Sequence, residues 1–566
     1  MGELVRVFRS TVGGKRLIKL TEAFNNDGFE VSKVNTYNGR LGIIAESKTA
    51  INYDTGRPKK AYYLEGTAYE TGFLMGSLAE EEVSRMARDF ADRVVFSFIG
   101  SKVLEKIKLI QETLVQLLYE LSRKTYQQLP IEIRDEIQGI YDGCKSRNPK
   151  TRVDMEHLIV LNTGIDIICS RLYPGNFLKR DMMGFEPKDF RIPFMCNAFT
   201  LCGKSAGYGY YFGRDFMFPT ADVFQDAAAM VIYNPVSTVN ETALPLVSIT
   251  APGMVGSISV MNLEGVALGV DMSPGVNCDP QNVGTNSLLL LRVCAQYSQN
   301  AEAAVERMTG MERGVSWDYI IADGKTERSC VAEAGASGPI PDFTQIPPEE
   351  YRLFLPDREF IEQHQTESFK NGMMVRWNNY KYPLEYLAFN HRICNYFNEK
   401  QHTNKIYYTG AFSQNGYINK TGDQNCPSSY YFAPQREEND DILIATNHYI
   451  LPEMRYFAMH RWTEGLVGER VNDIQWRYDE LNARIQEKLK AKGYIGFEDA
   501  KGLVSFLSPY DKYSGYYSDN PRSKDGREIR IEGCASVFDL KNRTVESHYG
   551  YYCDKWVRLS LQKYFM

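Results

Sequence analysis

Apolar positions in the first third of the chain repeat with the period of an α-helix. One helix is predicted around residues 107–121, and a second over residues 129–141, ending at Gly143. Residues 1–60 contain short alternating pieces that end in a turn. We therefore expect the first 170 residues to be mostly helical. The residues that share one face of the first helix, with Glu, Lys and Gln opposite, are Ile107, Ile110, Leu114, Leu117, Leu118 and Leu121.

After residue 190 the pattern becomes one of short β-branched and aromatic runs separated by turns, which predicts a meander of antiparallel strands. Two helices are expected between residues 286 and 308, and a further helix over 471–490. Residues 336–440 lack long periodicity and are interpreted as an insertion or lid. This order fits a sandwich with helices outside. The predicted strands are 208–213, 229–234, 246–250, 257–261, 266–271, 318–322, 329–334, 442–446, 534–540 and 544–550.

Composition narrows the partners of the chain. A net charge of −6 over 566 residues gives no electrostatic case for nucleic acid or an anionic membrane. No run approaches 18 apolar residues, so no membrane span is expected. The first residues carry no apolar signal region, so we expect a cytosolic protein unless a signal has been removed. Thirteen per cent aromatic residues favour a large, sheet-rich protein with a partly apolar pocket.

The most informative pair is Cys196, which opens an apolar run, and Arg214, which follows on the next run after a turn. This order is typical of an amidohydrolase whose nucleophile is an N-terminal cysteine, made by cutting the Met195–Cys196 bond. A thiol with a pKa of about 8.5 is only a few per cent ionised at neutral pH. A freed α-amino group, with a pKa of about 7.7–8.0, can take the thiol proton without a histidine. The permanent charge of Arg214 would favour the thiolate and hold a substrate carbonyl or carboxylate.

Two alternatives remain open for this interpretation. Cys196 among apolar neighbours also fits an inert core cysteine, and Cys202 is a competing nucleophile placed at a strand end. The eleven cysteines form no CxxC pair and the seven histidines no HExxH arrangement, so we expect neither a metal nor an organic cofactor.

Further segments occur in a recognisable order along the chain. These are the glycine-punctuated segment 64–76, segment 129–143, the Met195–Cys196 junction, and segments 213–216, 260–265, 318–323, 445–448 and 477–478. Together they resemble the autoproteolytic acyltransferase and hydrolase family related to acyl-coenzyme A:6-aminopenicillanic acid acyltransferase, within the N-terminal-nucleophile hydrolases. The resemblance implies an α+β fold, a four-layer α/β/β/α sandwich with a mainly helical N-terminal segment.

The resemblance also implies roles for individual residues. Cys196 would attack an acyl carbonyl and form a thioester, and Arg214 would lie close to its sulfur. Asn447 would donate its side-chain amide to the tetrahedral oxyanion. Asn262 would contact the surroundings of the nucleophile, and its backbone could complete the oxyanion hole. Arg477 would anchor the substrate.

Each of these roles has a structural alternative. Asn447 also fits a strand cap, because Asn is common at turns, and Arg477 also fits a surface or packing residue. In choloylglycine hydrolases, more distant relatives, an aspartate stands three residues after the arginine, where this chain has Met217. Asp215 is the candidate to orient the new amine instead. However, adjacent strand residues point to opposite faces, so Asp215 also fits a buried structural carboxylate.

The expected protein is thus a proenzyme that cuts itself. Residues 1–195 would form the first fragment and stay bound, and residues 196–566, including the insertion, would form the catalytic fragment. The mature enzyme would hydrolyse or transfer an amide-linked acyl group of a small-molecule substrate. The alternatives are an acyl-CoA-dependent N-acyltransferase and a catalytically silent binding protein on the same fold. Self-association of the two fragments is expected, and a homo-oligomer is left open.

Overall fold

The computed structural model describes residues 12–52, 55–93, 108–183, 195–218, 223–239, 241–273, 275, 277–338, 369–381, 439–451, 454, 474–506, 532–550 and 555–565. Within these residues the chain mixes helices with strands that form two large sheets. The strands are β1 Phe29–Tyr37, β2 Arg40–Ile51, β3 Pro58–Gly66, β4 Met195–Leu201, β5 Tyr211–Phe218, β6 Ala229–Pro235, β7 Leu246–Thr250, β8 Ser259–Asn262, β9 Val266–Met272, β10 Trp317–Asp323, β11 Arg328–Ala334, β12 Met373–Trp377, β13 Ile442–Ala445, β14 Glu532–Asp539, β15 Thr544–Gly550 and β16 Val557–Ser560.

The larger sheet has the strand order β1-β2-β3-β6-β7-β8-β9-β10-β11-β12. Strands β6 to β11 follow one another as an antiparallel meander. Strand β3 pairs in parallel with β6, from Lys60 opposite Ala229 to Gly66 opposite Pro235. Because β3 precedes Cys196 and β6 follows it, the backbone of both parts of the chain is joined within one sheet.

The smaller sheet is antiparallel and has the order β13-β4-β5-β14-β15-β16. It brings together strands that are far apart in the sequence, because β13 and β14 flank the hairpin of β4 and β5. Strands β4 and β5 also contact β9 of the larger sheet. The two sheets therefore meet where Cys196 begins β4.

Helices pack on strands of both sheets. Helix α2 contacts β1, β2 and β3, α8 contacts β8 and β9, and α11 contacts β5 and β14. The helices are α1 Val12–Asn26, α2 Ala68–Leu78, α3 Glu80–Ser84, α4 Lys108–Gln128, α5 Ile131–Arg147, α6 Met155–Met183, α7 Phe224–Ala227, α8 Ser287–Tyr297, α9 Ala301–Gly310, α10 Ile474–Lys492 and α11 Phe497–Phe506, with a π-helical turn at Arg85–Phe90 and 3₁₀ turns at Gly203–Ala206 and Leu561–Tyr564.

Helices α2 and α5 cross at four glycines, Gly72 and Gly76 on one helix and Gly139 and Gly143 on the other. A β-carbon on Gly76 would lie 2.1 Å from the carbonyl oxygen of Ile140, too close for any side chain. The glycines therefore allow backbone-to-backbone contact between two segments that precede Cys196.

The sequence pattern predicts most strand positions in the second part of the chain. The expected strands 229–234 and 246–250 correspond to β6 and β7, and the two helices after residue 286 are α8 and α9. Three differences are informative. Residues 29–66 form three strands, so the region before residue 170 is not helical throughout. The expected strand 208–213 lies at 211–218, and β12 lies inside the expected insertion 336–440. Most of that insertion falls outside the described residues.

Candidate active site

Cys196 lies one residue into β4, directly opposite Phe216 of β5, while Ala198 lies opposite Arg214. Residues two apart on a strand share a face, so Cys196 and Arg214 project to the same side of the smaller sheet. Cys196 is fully buried. The pairing expected from the sequence therefore places the sulfur and the guanidinium on one face, toward the larger sheet.

Arg214 crosses from the smaller sheet to the larger one and forms a buried ion pair with Asp271 of β9. Its Nη2 lies 3.0 Å from Asp271 Oδ1, and its Nη1 donates to the carbonyl of Ile258 at 2.9 Å and to the hydroxyl of Ser259 at 3.0 Å. A β-carbon on Gly269 would lie 2.2 Å from the Cδ atom of Arg214. Glycine at position 269 thus gives the arginine stem its room against β9.

Asn447 reaches Cys196 from the third strand of the site. Strand β13 pairs with β4 so that Ala445 lies opposite Ala198, and continuing this register by two residues brings Asn447 opposite Cys196. The backbone N–H of Cys196 donates to Asn447 Oδ1 at 2.7 Å. Asn447 Nδ2 in turn donates to the carbonyl of Met272 at 2.7 Å. Asn447 therefore connects the nitrogen of the nucleophile with β9.

The surroundings keep the thiol of Cys196 protonated in this uncut chain. Burial raises its pKa to about 12, and the negative charge of Asp271 adds to the rise. Arg214, the side chain of Asn447 and the backbone of Met272 act in the opposite direction. Deprotonation of the thiol thus requires a base close to it.

A row of buried carboxyl groups leads away from Asp271 across the larger sheet. Asp271 lies opposite Asp318 of β10, and Asp318 lies opposite Glu333 of β11. Arg214 pairs with one end of the row, and at the other end Arg376 Nε lies 3.6 Å from Glu333 Oε1. The row thus sets three carboxyl groups between two guanidinium groups.

Burial favours the protonated form of two carboxyl groups in the row. Burial and the neighbouring Glu333 raise the pKa of Asp318 well above its ordinary value. Burial raises the pKa of Glu333 to about 7, although Arg376 and two backbone N–H groups oppose the rise. Burial therefore favours the protonated form of Asp318, whose Oδ2 accepts a hydrogen bond from Ser273 Oγ.

Glu333 and Arg376 also hold the segment that carries Asn447. Glu333 accepts hydrogen bonds from the backbone N–H groups of Ile450 at 2.9 Å and Leu451 at 3.0 Å. Arg376 Nη2 donates to the carbonyl of Ile444 at 3.0 Å. The position of Asn447 is thus fixed from both sides by the far end of the buried row.

Asp215 lies on β5 and Asn262 ends β8, and the catalytic role of each stays a prediction. Asp215 lies opposite Asn197 and Ala535, on the other face of β5 from Arg214, as the strand alternation predicts. Asn262 Nδ2 donates to the carbonyls of Ala295 and Ser298, both at 2.8 Å, and its Oδ1 accepts from the N–H of Val266. The Asn262 side chain therefore joins the turn after β8 to the end of α8, and the contribution of its backbone to an oxyanion hole stays a prediction.

The remaining candidates are placed as follows. The backbone of Arg477 lies in α10, and its side chain is outside the described residues. Cys202 lies just past the end of β4, six residues from Cys196, which corresponds to about 20 Å at the usual strand rise. Burial, Asp441 and Glu327 raise the pKa of Cys202 to about 12. Lys541 opposes this rise, whereas Arg214 opposes the rise at Cys196, so the settings of the two thiols differ.

The sequence interpretation missed Asp271, Asp318, Glu333 and Arg376. One signal was available for Asp271, because it is a charged residue within the apolar run Val266–Met272, two residues after a glycine on the same face. A charge in a fully buried strand requires a partner. The sequence does not reveal that this partner is Arg214, since the two residues belong to different sheets.

The described part of the chain contains no group of three or more His, Cys, Asp or Glu arranged to hold a metal ion. In the same residues, no helix combines the length and apolar character needed to cross a membrane.

Comparison with known proteins gives three findings. No family model matches the chain. An uncharacterized protein of Archaeoglobus fulgidus is 27% identical over 509 residues, an alignment that covers 90% of this chain. This chain spans 66% of the length of that archaeal relative.

Two crystal structures of conjugated bile acid hydrolase from Clostridium perfringens, one of a mutant and one of a variant, also match at a TM-score of 0.31. They share 10% and 12% of their residues with this chain, and each match covers 65% of this chain and 93% of the other.

Proposed function

We propose that this chain is an N-terminal-nucleophile amidase that cuts itself between Met195 and Cys196. The single observation that carries the proposal is the position of Cys196, whose nitrogen is 2.7 Å from Asn447 Oδ1 and whose sulfur shares a face with the Arg214–Asp271 ion pair. An inert core cysteine needs neither a buried ion pair nor a side chain on its backbone nitrogen.

Self-cleavage would proceed by an N-to-S shift. Cys196 Sγ adds to the carbonyl carbon of Met195, the C–N bond breaks, and the nitrogen takes up the proton that the thiol gives up. Water then hydrolyses the thioester, leaving a carboxylate on Met195 and a free amine and thiol on Cys196. The products would be fragments of 195 and 371 residues (566 − 195 = 371).

The mature residue would then act as both nucleophile and base. Its α-amine takes the thiol proton, the sulfur attacks the acyl carbonyl of the substrate, and the leaving amine departs with that proton. Asn447 would hold the amine through Oδ1 and donate through Nδ2 to the oxyanion, a contact whose removal typically costs about 2.7–4 kcal/mol of transition-state stabilisation. Asp271 would keep Arg214 directed at the sulfur.

The proposal also covers the layers of the fold and the way the two fragments stay together after cleavage. Helices lie on strands of both sheets, and β4 and β5 contact β9, which supports the four-layer α/β/β/α arrangement. The first fragment would remain as a subunit, since β3 pairs with β6. Water or an acceptor amine can release the thioester. An amine added to the assay distinguishes the two, because a transferase would form the new amide faster than free acid.

Mass measurement during incubation of the purified full chain tests the proposal. We expect the chain to divide before Cys196 and the Cys196→Ala variant to stay whole and inactive, while Cys202→Ala divides normally. Full turnover of acyl amides by a chain that remains undivided would overturn the mechanism. A chain that neither divides nor turns over any substrate would favour the silent binding protein.

A further inference from the structure

An apolar cavity of about 60 Å³ is lined in part by Phe216, the residue opposite Cys196 in the smaller sheet. One wall comes from the chain before Cys196 and includes Ala91, Gly164 and Ile165. The other wall comes from the chain after Cys196 and includes Phe216, Ile258 and Trp317. The cavity is thus formed jointly by the two parts of the chain.

Three of the lining residues are direct neighbours of the site. Phe216 lies opposite Cys196 in the pairing of β4 and β5. The carbonyl of Ile258 accepts a hydrogen bond from Arg214. Trp317 lies opposite Met272, whose carbonyl accepts from Asn447. The cavity therefore borders residues that surround the sulfur, while Cys196 itself is not part of its lining.

The lining favours a ligand without polar groups. Every lining residue is aliphatic, aromatic, methionine or glycine, and none carries a charge. Each methylene transferred from water to such a surface strengthens binding about fourfold. Charged or hydroxylated groups would lose their hydration there without compensation.

The size of the cavity limits the shape of the ligand. An apolar cavity of about 150 Å³ is known to accept benzene, and this one has less than half that volume. The end of a straight aliphatic chain fits such a space, whereas a ring system requires the walls to move apart.

We propose that this cavity binds the acyl part of the substrate, and that this acyl part is a straight, short to medium aliphatic chain. The inference rests on the proposed role of Cys196, because it assigns the cavity to the substrate of that residue. Residues before Cys196 then form a lasting part of the binding site, and Ala91 and Ile165 set the length of chain that fits.

Binding can be measured without catalysis. The full-length Cys196→Ala protein would be titrated calorimetrically with straight-chain carboxylates from butyrate to decanoate, with cyclohexanecarboxylate and benzoate for comparison. We expect affinity to rise about fourfold per methylene up to a length limit, and the cyclic acids to bind at least tenfold more weakly than hexanoate. Equal or tighter binding of the cyclic acids would overturn the assignment, as would no binding of any straight-chain acid.

Two further substitutions in this background locate the site. Ala91→Leu fills the cavity and is expected to shift the length limit downward, and Ile165→Ala enlarges it and is expected to shift the limit upward. Ala491→Leu, on an exposed position of α10, is the matched control and should change nothing. If neither cavity variant moves the limit, the acids bind elsewhere and the inference is wrong. This result is separate from the proposed function, which is tested by whether the unmodified chain divides before Cys196 and turns over acyl amides.

Discussion

At the scale of single residues, the site depends on a buried charge supplied from the opposite sheet. Asp271 stands where its carboxylate both pairs with Arg214 and raises the pKa of the Cys196 thiol. Asp215, adjacent to Arg214 in sequence, lies on the other face of the strand. Proximity along the chain is therefore a poor guide to which carboxylate acts on the sulfur.

The position of Asp271 beside Arg214 and the Cys196 thiol predicts the effect of Asp271→Asn. Loss of the carboxylate removes one cause of the raised thiol pKa, so alkylation of Cys196 by iodoacetamide should begin at a lower pH than in the unmodified chain. The variant should also unfold more easily, by about 3 kcal/mol, because Arg214 loses its buried counter-charge. The measurements are mass-resolved alkylation against pH and denaturant unfolding.

Asp215→Asn is the matched control for this substitution. It neutralises a carboxylate that is also buried but lies on the far face of β5. Its alkylation profile at Cys196 should follow that of the unmodified chain. An unchanged profile in Asp271→Asn, or the same shift in both variants, would show that Asp271 does not act on the thiol.

At the scale of elements, the segment after β13 is held in place by residues of the other sheet. Glu333 on β11 accepts the N–H groups of Ile450 and Leu451, and Arg376 on β12 holds the carbonyl of Ile444. Asn447 lies between these anchors. The far edge of the larger sheet thus positions a side chain that contacts the nitrogen of Cys196.

We therefore predict that Glu333→Gln slows self-cleavage. A buried N–H group left without its acceptor costs about 1–3 kcal/mol, so displacement of Asn447 corresponds to roughly a 10- to 100-fold lower cleavage rate. The rate is followed by gel or mass analysis over time. The pH profile of cleavage should also change, because burial raises the pKa of Glu333 toward neutrality. Glu302→Gln, which removes the carboxylate of the half-exposed pair with Arg328, should leave both the rate and its pH profile unchanged. Equal rates in the two variants would contradict the positioning role.

The elements differ in how far the sequence predicts them. Strands such as β6 and β7 are predicted almost to the residue, because both consist of mostly apolar, β-branched or aromatic runs bounded by turn residues. Strand β3 is not predicted, since its end at Gly66 runs directly into the glycine-rich helix α2. Strand β12 has the short run Met373–Trp377 within a region rich in polar residues. Its place in the sheet depends on pairing with β11, which is a tertiary contact.

The sequence likewise predicts those residues of the site that a local pattern marks, and misses those that depend on strand pairing. Cys196, Arg214 and Asn447 lie together in the structure, because each sits at a recognisable strand end or strand motif. Their catalytic roles stay predictions. The Asp271–Asp318–Glu333 row arises from the register of three strands, which no local pattern specifies.

At the scale of the whole molecule, buried carboxyl groups make stability depend on pH. Burial raises the pKa of Asp166 to about 7, although Ser287 opposes the rise through two hydrogen bonds, and Glu333 also titrates at about 7. In both cases the folded chain favours the protonated form. Their contribution to stability is therefore complete below the ordinary carboxyl pKa and is lost as pH rises toward 7.

We accordingly expect the melting temperature of Cys196→Ala protein, which stays whole, to fall as pH rises from 5 to 8. Each such group changes the unfolding free energy by at most about 1.4 kcal/mol per pH unit. Thermal unfolding at closely spaced pH values measures this dependence, and Asp166→Asn should make it shallower. A melting temperature that rises over this interval would contradict the retention of protons by Asp166 and Glu333 in the folded chain.

The parallel pairing of β3 with β6 has a consequence for the lifetime of the molecule. If the bond before Cys196 is cut, the ten-stranded sheet is shared by two polypeptides, one carrying β3 and the other β6. Recovery after denaturation then becomes a second-order reaction that slows on dilution, whereas an undivided chain recovers at a rate independent of concentration. The divided molecule would persist in dilute solution through slow unfolding rather than through ready reassembly.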